Sequence, residues 1–234
     1  MFLVTLEIYA ETASFRVSET HTFHKTLALP PYTTCVGLLG AALGLDMEAA
    51  QSYVNETGTS IGVAGHDRGE FRDLWKYRKV KSGETISDVL IREYRVDLTC
   101  WVVYGTQTQE AADAIAGGFH DPVYALTAGH SDSLIYVRSV AVIEAEPKPL
   151  ASLENCLVPG DLTRLYQPDQ SVFDLPITQK IRPPVMTHLP VSFSFDGDRR
   201  TVQAREPFTF VGNRITLSEP VEGFEVYDQS VVLR

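Results

Sequence analysis

A glycine-spaced apolar segment, preceded by two prolines and two threonines, has the residue types of an anion-binding helix start. The residues concerned are, in order, Pro30, Pro31, Thr33, Thr34, Cys35, Val36, Gly37, Gly40 and Gly44. The spacing of the glycines places them on one side of a helix, although each costs about 1 kcal/mol relative to alanine there. Free N–H groups at Thr34, Cys35 and Val36, aided by the helix dipole, would hold a phosphate that Gly37 allows to approach. Close packing of another segment explains the glycines equally well.

A second, weaker candidate for anion binding follows about ninety residues later in the chain. Gly129, His130 and Ser131 come in succession between two apolar segments. A glycine turn of this kind offers backbone N–H groups as a nest, and the serine adds a hydroxyl. An ordinary connecting turn is the alternative interpretation.

A basic and aromatic arm is the third feature that predicts chemistry. The arm, residues 68–81, contains six basic residues and only two acidic ones. The basic residues are Arg68, Arg72, Lys76, Arg78, Lys79 and Lys81. Trp75 and Tyr77 are interleaved with them, and strand alternation would place these two rings on one face. Nucleobases stack on such rings for about 1–3 kcal/mol each, while cations attract phosphates. The alternative is a solvated hairpin edge that its charges protect from aggregation.

The composition limits the function classes that fit. The net charge of −10 argues against an isolated nucleic-acid-binding protein, so the arm is a basic patch on an acidic body. Hydrophobic residues make up 44% of the chain, which is enough for a substantial core, and no apolar run has the length of a membrane span. Cys35, Cys100 and Cys156 are odd in number and far apart, which predicts reduced thiols in a cytoplasmic protein without a metal site or cofactor.

The order of predicted elements is strand, helix, strand, long hairpin, strand, helix, strand. This order predicts an α+β fold with a ferredoxin-like (RRM-type) domain over residues 1–148 and a hairpin inserted at about residues 66–96. The glycine-spaced helix is expected from Thr34 to Leu45, after a polar loop over residues 17–29. The proline-rich remainder, residues 149–234, is expected to form a small, mainly β domain.

Three segments resemble the Cas-five subunit family of type I CRISPR Cascade complexes, of the RAMP superfamily. They are Leu29–Leu45, with its Gly-Leu-Leu-Gly-Ala-Ala-Leu-Gly helix; Arg92–Val103, which begins Arg-Glu-Tyr-Arg-Val; and Tyr124–Asp132, with its Gly-His-Ser-Asp turn. The resemblance implies a non-catalytic subunit that grips the 5′ handle of the guide RNA (crRNA). The implied handle residues are Thr33, Thr34, Cys35, Gly37, Gly129, His130 and Ser131. The implied thumb hairpin would contact nucleic acid through Arg68, Arg72, Trp75, Lys76, Tyr77, Arg78, Lys79, Lys81 and Arg92.

The same resemblance implies the partners of the protein. They are guide RNA, target DNA, the backbone subunit and the large subunit of a Cascade complex, with no membrane. The turn departs from the family at His130, where Arg or Lys is common. Two other hypotheses stay open: a metal-independent endoribonuclease that matures guide RNA with His24 or His130 as general acid or base, and an enzyme that binds a phosphorylated small molecule at the Thr34 helix terminus.

Overall fold

The computed structural model describes residues 1–17, 19–20, 22–81, 83–168, 182–197 and 199–234. These residues form three helices and thirteen strands. The helices are α1 (Tyr32–Leu43), α2 (Met47–Glu56) and α3 (Gln109–His120). The strands are β1 (Phe2–Ala13), β2 (Phe23–His24), β3 (Ser60–His66), β4 (Gly69–Lys81), β5 (Glu84–Thr106), β6 (Tyr136–Glu144), β7 (Lys148–Leu153), β8 (Cys156–Pro159), β9 (Tyr166–Pro168), β10 (Val185–Asp196), β11 (Arg199–Val211), β12 (Ile215–Val226) and β13 (Gln229–Val231).

Four antiparallel strands, in the order β6-β1-β5-β3, form one end of a nine-stranded sheet, with β6 at its edge. Leu6 of β1 lies opposite Val102 of β5 on one side and Val140 of β6 on the other. Val4, Leu6 and Ile8 of β1 are buried in the core beneath the helices. The alternation of apolar side chains along a strand thus determines which face of the sheet the helices cover.

Tyr104 of β5 joins the central sheet to two helices. Its ring stacks on Phe119 of α3 with a centroid distance of 5.4 Å. Its hydroxyl donates a hydrogen bond of 2.9 Å to the carbonyl of Cys35 in α1. Because the hydroxyl is paired, this large side chain can be fully buried without an unsatisfied polar atom. The hydrogen bond to Cys35 therefore fixes the position of the first turns of α1 relative to the sheet.

The second half of the chain contributes to two sheets. β8 pairs with β3, and β11 and β10 continue the nine-stranded sheet beyond it. β7, β9, β12 and β13 form a second sheet, and its buried residues pack with Leu3 and Val103 of the first. Strands from both sides of residue 148 thus share one sheet, while the second sheet comes from residues 148–231 alone. A division into two domains at this residue stays a prediction.

A long hairpin of β4 and the first half of β5 is the most exposed feature of the fold. The two strands pair from Gly69↔Val96 to Lys81↔Glu84, and β5 then continues into the central sheet. At the base of the hairpin, Arg95 and Arg182 both contact the buried carboxylate of Asp67, at 3.8 and 2.8 Å. The hairpin is therefore an extension of a core strand that ion pairs hold at its base.

The expected mixed, strand-rich architecture and the long hairpin are confirmed, whereas two local expectations are wrong. α1 begins at Tyr32, two residues earlier than expected, because Pro31 takes the N-cap position without a side-chain cap. The region expected to be a loop contains β2, which pairs in parallel with β5. Ser82, within the expected hairpin, lies outside the described residues.

Candidate nucleic-acid interface

The first turn of α1 has fewer free donors than the sequence suggests. The N–H groups of Thr34 and Cys35 both donate to the carbonyl of Pro31, at 2.9 and 3.2 Å. The expectation that these two groups are free to bind an anion is therefore wrong. Cys35 is also fully buried, and burial raises the pKa of its thiol far above its usual value. Its side chain is part of the core, whereas Thr33 and Thr34 remain partly exposed.

An open cleft of about 320 Å³ lies beside this helix. We call it the α1 cleft. Its lining includes Thr33, Thr34 and Gly37 of α1, Gly129 of the segment after α3, and Arg200 of β11. The structure therefore brings four of the seven predicted handle residues to one concave surface. Arg200 adds a cation that the sequence did not single out, and its guanidinium lies 4.6 Å from the ring centre of Phe193.

The glycines of α1 have different reasons to be glycine. A Cβ atom at Gly37 would meet only the Met47 sulfur, at 3.9 Å, which is ordinary van der Waals contact. A Cβ atom at Gly40 would lie 2.9 Å from the Cβ of Ala50 and 3.0 Å from the Leu45 carbonyl oxygen. Gly40 therefore permits close packing of α2. Gly37 is not required for that packing, and its lack of a side chain leaves the α1 cleft open.

The Gly129 turn is shaped by its approach to the end of β1. Gly129 has a φ of +85°, and a Cβ atom there would collide with the carbonyl oxygen of Ser14. The N–H of Ser14 donates to the carbonyl of Ala128 at 3.0 Å, which fixes the turn in place. The exposed hydroxyl of Ser131 donates to the carboxylate of Asp132, at 3.3 Å. This turn directs Gly129 toward the α1 cleft and His130 toward the hairpin.

One face of the hairpin, near its middle, carries a group of aromatic and basic side chains. The rings of Trp75 and Tyr77 stack with a centroid distance of 5.3 Å. The guanidinium of Arg92 lies 4.1 Å from the ring centre of Trp75. The rings of His24 and His130 lie 6.5 and 6.0 Å from the same tryptophan. We call His24, Trp75, Arg92 and His130 the Arg92 cluster.

Arg92 is the unusual member of this cluster. It is only 5% exposed, and its Nη1 atom has no hydrogen-bond partner among the described residues. Arginine is almost never this buried unless it is paired. Leaving a buried donor unsatisfied costs about 1–3 kcal/mol, and more for a charged group. The structure therefore maintains a buried cation here whose Nη1 donors are not used within the described chain.

Both histidines of the cluster are held in their neutral form. The pKa of His24 is lowered by burial and then by the positive charges of Arg16 and Arg92 and by His130. The pKa of His130 is lowered by burial and by Arg92, while the nearby carboxylate of Asp132 raises it. Near neutral pH, each imidazole therefore retains an unprotonated nitrogen, which can accept a hydrogen bond or a proton.

The other predicted hairpin cations are arranged differently. Arg72 forms an ion pair of 3.2 Å with the buried carboxylate of Glu93, and Arg68 lies 3.6 Å from Asp97. Lys76 and Arg78 are exposed on the opposite face from Trp75. The side chains of Lys79 and Lys81 lie outside the described part of the structure. The described thumb residues therefore fall into three groups. Arg68 and Arg72 form ion pairs with carboxylates of β5, and Lys76 and Arg78 lie on an exposed basic face. Trp75 and Arg92 belong to the Arg92 cluster, with Tyr77 stacked on Trp75.

The described part of the chain lacks two other features. No group of three or more histidine, cysteine or carboxylate side chains there could hold a metal ion. None of the helices described in the structure combines the length and apolar character needed to span a membrane.

Comparison with known proteins identifies the family. Residues 3–207 match the family model described as CRISPR-associated protein (Cas_Cas5). The chain belongs to the Cas5 family. No curated protein matches the sequence of this Cas5 chain.

Two solved structures share the fold of this Cas5 chain. A chain of a CRISPR RNA-guided surveillance complex is 17% identical with a TM-score of 0.52, over 93% of this chain and 89% of that one. A CRISPR protein from Archaeoglobus fulgidus is 11% identical with a TM-score of 0.51, over the whole of both chains. Similarity at these identities concerns the fold alone.

Sequence reasoning named three members of the Arg92 cluster as binding residues and missed the fourth. His24 entered only as a possible acid or base in a loop, because two residues of strand give no periodic signal. Its pairing with Arg92 across β2 and β5 places it in the cluster. This parallel pairing connects residues far apart in the sequence, so spacing within the sequence could not have predicted it.

Proposed function

We propose that this Cas5 chain is a non-catalytic subunit of a type I CRISPR Cascade effector that holds the 5′ handle of the guide RNA. The handle would lie along the α1 cleft and continue to the Arg92 cluster. We interpret β6-β1-β5-β3, with α1 and α3, as the ferredoxin-like unit that carries this surface. One observation carries the proposal: Gly129 lines the cleft and its neighbour His130 contacts Trp75 of the cluster. The two sites therefore adjoin each other.

The residues of this surface suit a single-stranded RNA. Thr33 and Thr34 offer hydroxyls, Arg200 offers a charge, and Tyr77 extends the Trp75 ring stack along the hairpin, where a base can continue it. Stacking on aromatic rings, combined with a positively charged path for phosphates, is how proteins bind unpaired nucleic acid. The acidic charge of the whole chain fits a subunit whose other surfaces contact protein.

The hairpin of β4 and the first half of β5 is the proposed thumb. Its outer face combines Lys76 and Arg78 with the exposed apolar side chains Leu74 and Val89. A contiguous exposed apolar surface is typical of a docking site. We propose that the thumb reaches the adjoining backbone subunit and the guide–target duplex, and that the large subunit binds elsewhere on this chain.

Binding to the assembled complex tests the proposal. Guide RNA with and without its 5′ handle would be bound to a complex reconstituted with and without this subunit. We expect deletion of the handle to weaken RNA binding only when the subunit is present. Equal loss in both complexes would contradict the assignment, because the handle would then be held by other subunits.

An endoribonuclease is the second candidate, and one observation favours it. His24 and His130 both lie beside Trp75 and Arg92, so two neutral imidazoles and a cation meet at one point. One neutral imidazole can serve as general base and the other, once protonated, as general acid, while a cation stabilises developing negative charge. Incubation with repeat RNA in the presence of EDTA separates the candidates. Cleavage at one position that disappears in His24→Ala and in His130→Ala would establish the enzyme, whereas uncut, bound RNA supports the non-catalytic subunit.

A further inference from the structure

The two carboxylates nearest to Arg92 in the strand register have other partners among the described residues. Asp73 lies opposite Arg92 in the hairpin register, but its carboxylate accepts a hydrogen bond of 2.9 Å from the N–H of Leu74. Glu93, the next residue in β5, points to the other face and pairs with Arg72. One ring face of Trp75 covers the guanidinium. Arg92 therefore combines a preformed position with an unused hydrogen-bond donor.

The surroundings of Arg92 suit an anion and no cation. His24 of β2 pairs with Arg92 of β5, and His130 of the Gly129 turn approaches the ring of Trp75 edge-on. Arg16 lies near enough to His24 to affect its titration. The planar guanidinium fork matches the oxygen geometry of a phosphate and can bind it through two hydrogen bonds.

We infer that the Arg92 cluster is a site for one internal phosphodiester of single-stranded RNA. Arg92 supplies the charged fork, His24 and His130 supply flanking donors, and Tyr77 extends the Trp75 platform toward a neighbouring base. The inference rests on the proposed function, which it refines by naming the residues that hold one phosphate. A 5′-terminal phosphate offers similar chemistry, but the platform continues along the hairpin on the far side of Trp75, which suits a strand that passes through the site.

Proton uptake is a consequence of this arrangement. The groups that face His24 are Arg16, Arg92 and His130, and those that face His130 are Arg92 and Asp132. A bound phosphodiester adds a negative charge that favours protonation of both imidazoles. Binding is therefore expected to tighten as the pH falls from about 8 to about 5, the range in which histidine titrates. The phosphodiester itself stays a monoanion throughout this range.

The first arm of the test uses the wild-type full-length chain and a small probe. Dimethyl phosphate, a phosphodiester without base or sugar, is titrated while NMR follows the imidazole signals, with sodium chloride at equal ionic strength as the control. We expect the signals of His24 and His130 to shift and the pKa values of these two side chains to rise, while the signals of His66 and His188 stay in place. Equal shifts with chloride would overturn the assignment of a phosphate site.

The second arm measures binding of short oligouridine, whose bases do not titrate in this range. Arg92→Gln and Arg78→Gln remove the same charge from opposite faces of the hairpin. We expect Arg92→Gln to weaken binding at least tenfold, as loss of a charge-assisted pair implies, and Arg78→Gln by a few-fold at most. Arg92→Lys should restore only part of the affinity, because lysine lacks the planar fork. Oligouridine with a 5′-hydroxyl and with a 5′-phosphate should bind equally.

The two arms distinguish failure of this inference from failure of the proposed function. If RNA binds but Arg92→Gln and Arg78→Gln weaken it equally, the site is refuted and the RNA-binding function stands. If dimethyl phosphate shifts both histidines but neither RNA nor the assembled guide binds, the phosphate site stands and the RNA assignment is refuted. A preference for the 5′-phosphorylated oligonucleotide would refute the internal phosphodiester. Since the first arm needs no variant, poor folding of Arg92→Gln leaves the inference testable.

Discussion

Gly37 and Gly40 lie one helical turn apart in α1, and the same substitution at both separates RNA binding from packing. Replacing either glycine with leucine removes a helix penalty of about 1 kcal/mol. The two sites then differ in what the new Cβ atom meets. At Gly37 it meets the Met47 sulfur at 3.9 Å, whereas at Gly40 it lies 2.9 Å from Ala50 and 3.0 Å from a backbone oxygen.

These contacts determine the expected stabilities. Gly37→Leu retains the helix gain, which for a chain of this size raises Tm by roughly 2–4 °C. Gly40→Leu forces α1 and α2 apart, and overpacking of this kind costs about 1–3 kcal/mol or more. Since part of the obstruction is backbone that cannot rotate away, the cost exceeds the helix gain. We therefore expect Gly40→Leu to lower Tm.

The effect on RNA should be the reverse. The side chain of Gly37→Leu extends into the α1 cleft and displaces part of the handle, and loss of one nucleotide contact is worth about 1–3 kcal/mol, or roughly 5–150-fold in affinity. Thermal unfolding measures the first effect and fluorescence anisotropy with labelled handle RNA measures the second. Two results would refute the reasoning: destabilisation by Gly37→Leu equal to that by Gly40→Leu, or unchanged RNA affinity in the stable Gly37→Leu chain.

Three further predictions follow from the described contacts. Replacing Lys76 and Arg78 with alanine should reduce the slope of log affinity against log salt by about 1.4, because each lost phosphate contact contributes about 0.7. The Tm should not change. An unchanged slope in the assembled complex would show that these two residues are not part of the interface. Asp67→Asn should lower the free energy of unfolding by about 2–3 kcal/mol and Tm by roughly 4–12 °C, because it weakens the charged hydrogen bonds at the hairpin base. An unchanged unfolding curve would show that these ion pairs do not stabilise the chain. The Cys35 thiol should react with a disulfide reagent only after unfolding, because it is buried and its pKa is raised; labelling of the native chain would contradict its place in the core.

The hairpin could be predicted from the sequence because its information is local. Alternating side chains over β4 and the first half of β5 identify two strands, and the glycine between them marks the connection. The distinction among the α1 glycines could not be predicted in the same way. It depends on α2 lying against Gly40 and not against Gly37, which is a property of the folded chain.

Other features depend on contacts between distant segments. The donors of Thr34 and Cys35 are used because the helix begins at Tyr32 with Pro31 as its N-cap, and the prolines alone did not identify the cap. β8, β11 and β10 join the first sheet in succession, because β8 pairs with β3, β11 with β8 and β10 with β11. No periodicity in the C-terminal segment indicates these pairings. His24 reaches Arg92 through a strand of only two residues. Local pattern thus predicts elements, whereas the site arises from their assembly.

Crosslinking of the handle to this Cas5 chain tests the central claim most directly. Guide RNA with photoreactive 4-thiouridine placed through its 5′ handle would be bound in the assembled complex, irradiated, and its attachment sites located by mass spectrometry. We expect crosslinks in α1 and in residues 125–131, and at Trp75 or Tyr77 of the hairpin. Crosslinks confined to the second sheet, or no crosslink to this chain when other subunits are labelled, would contradict the assignment of the handle to this surface.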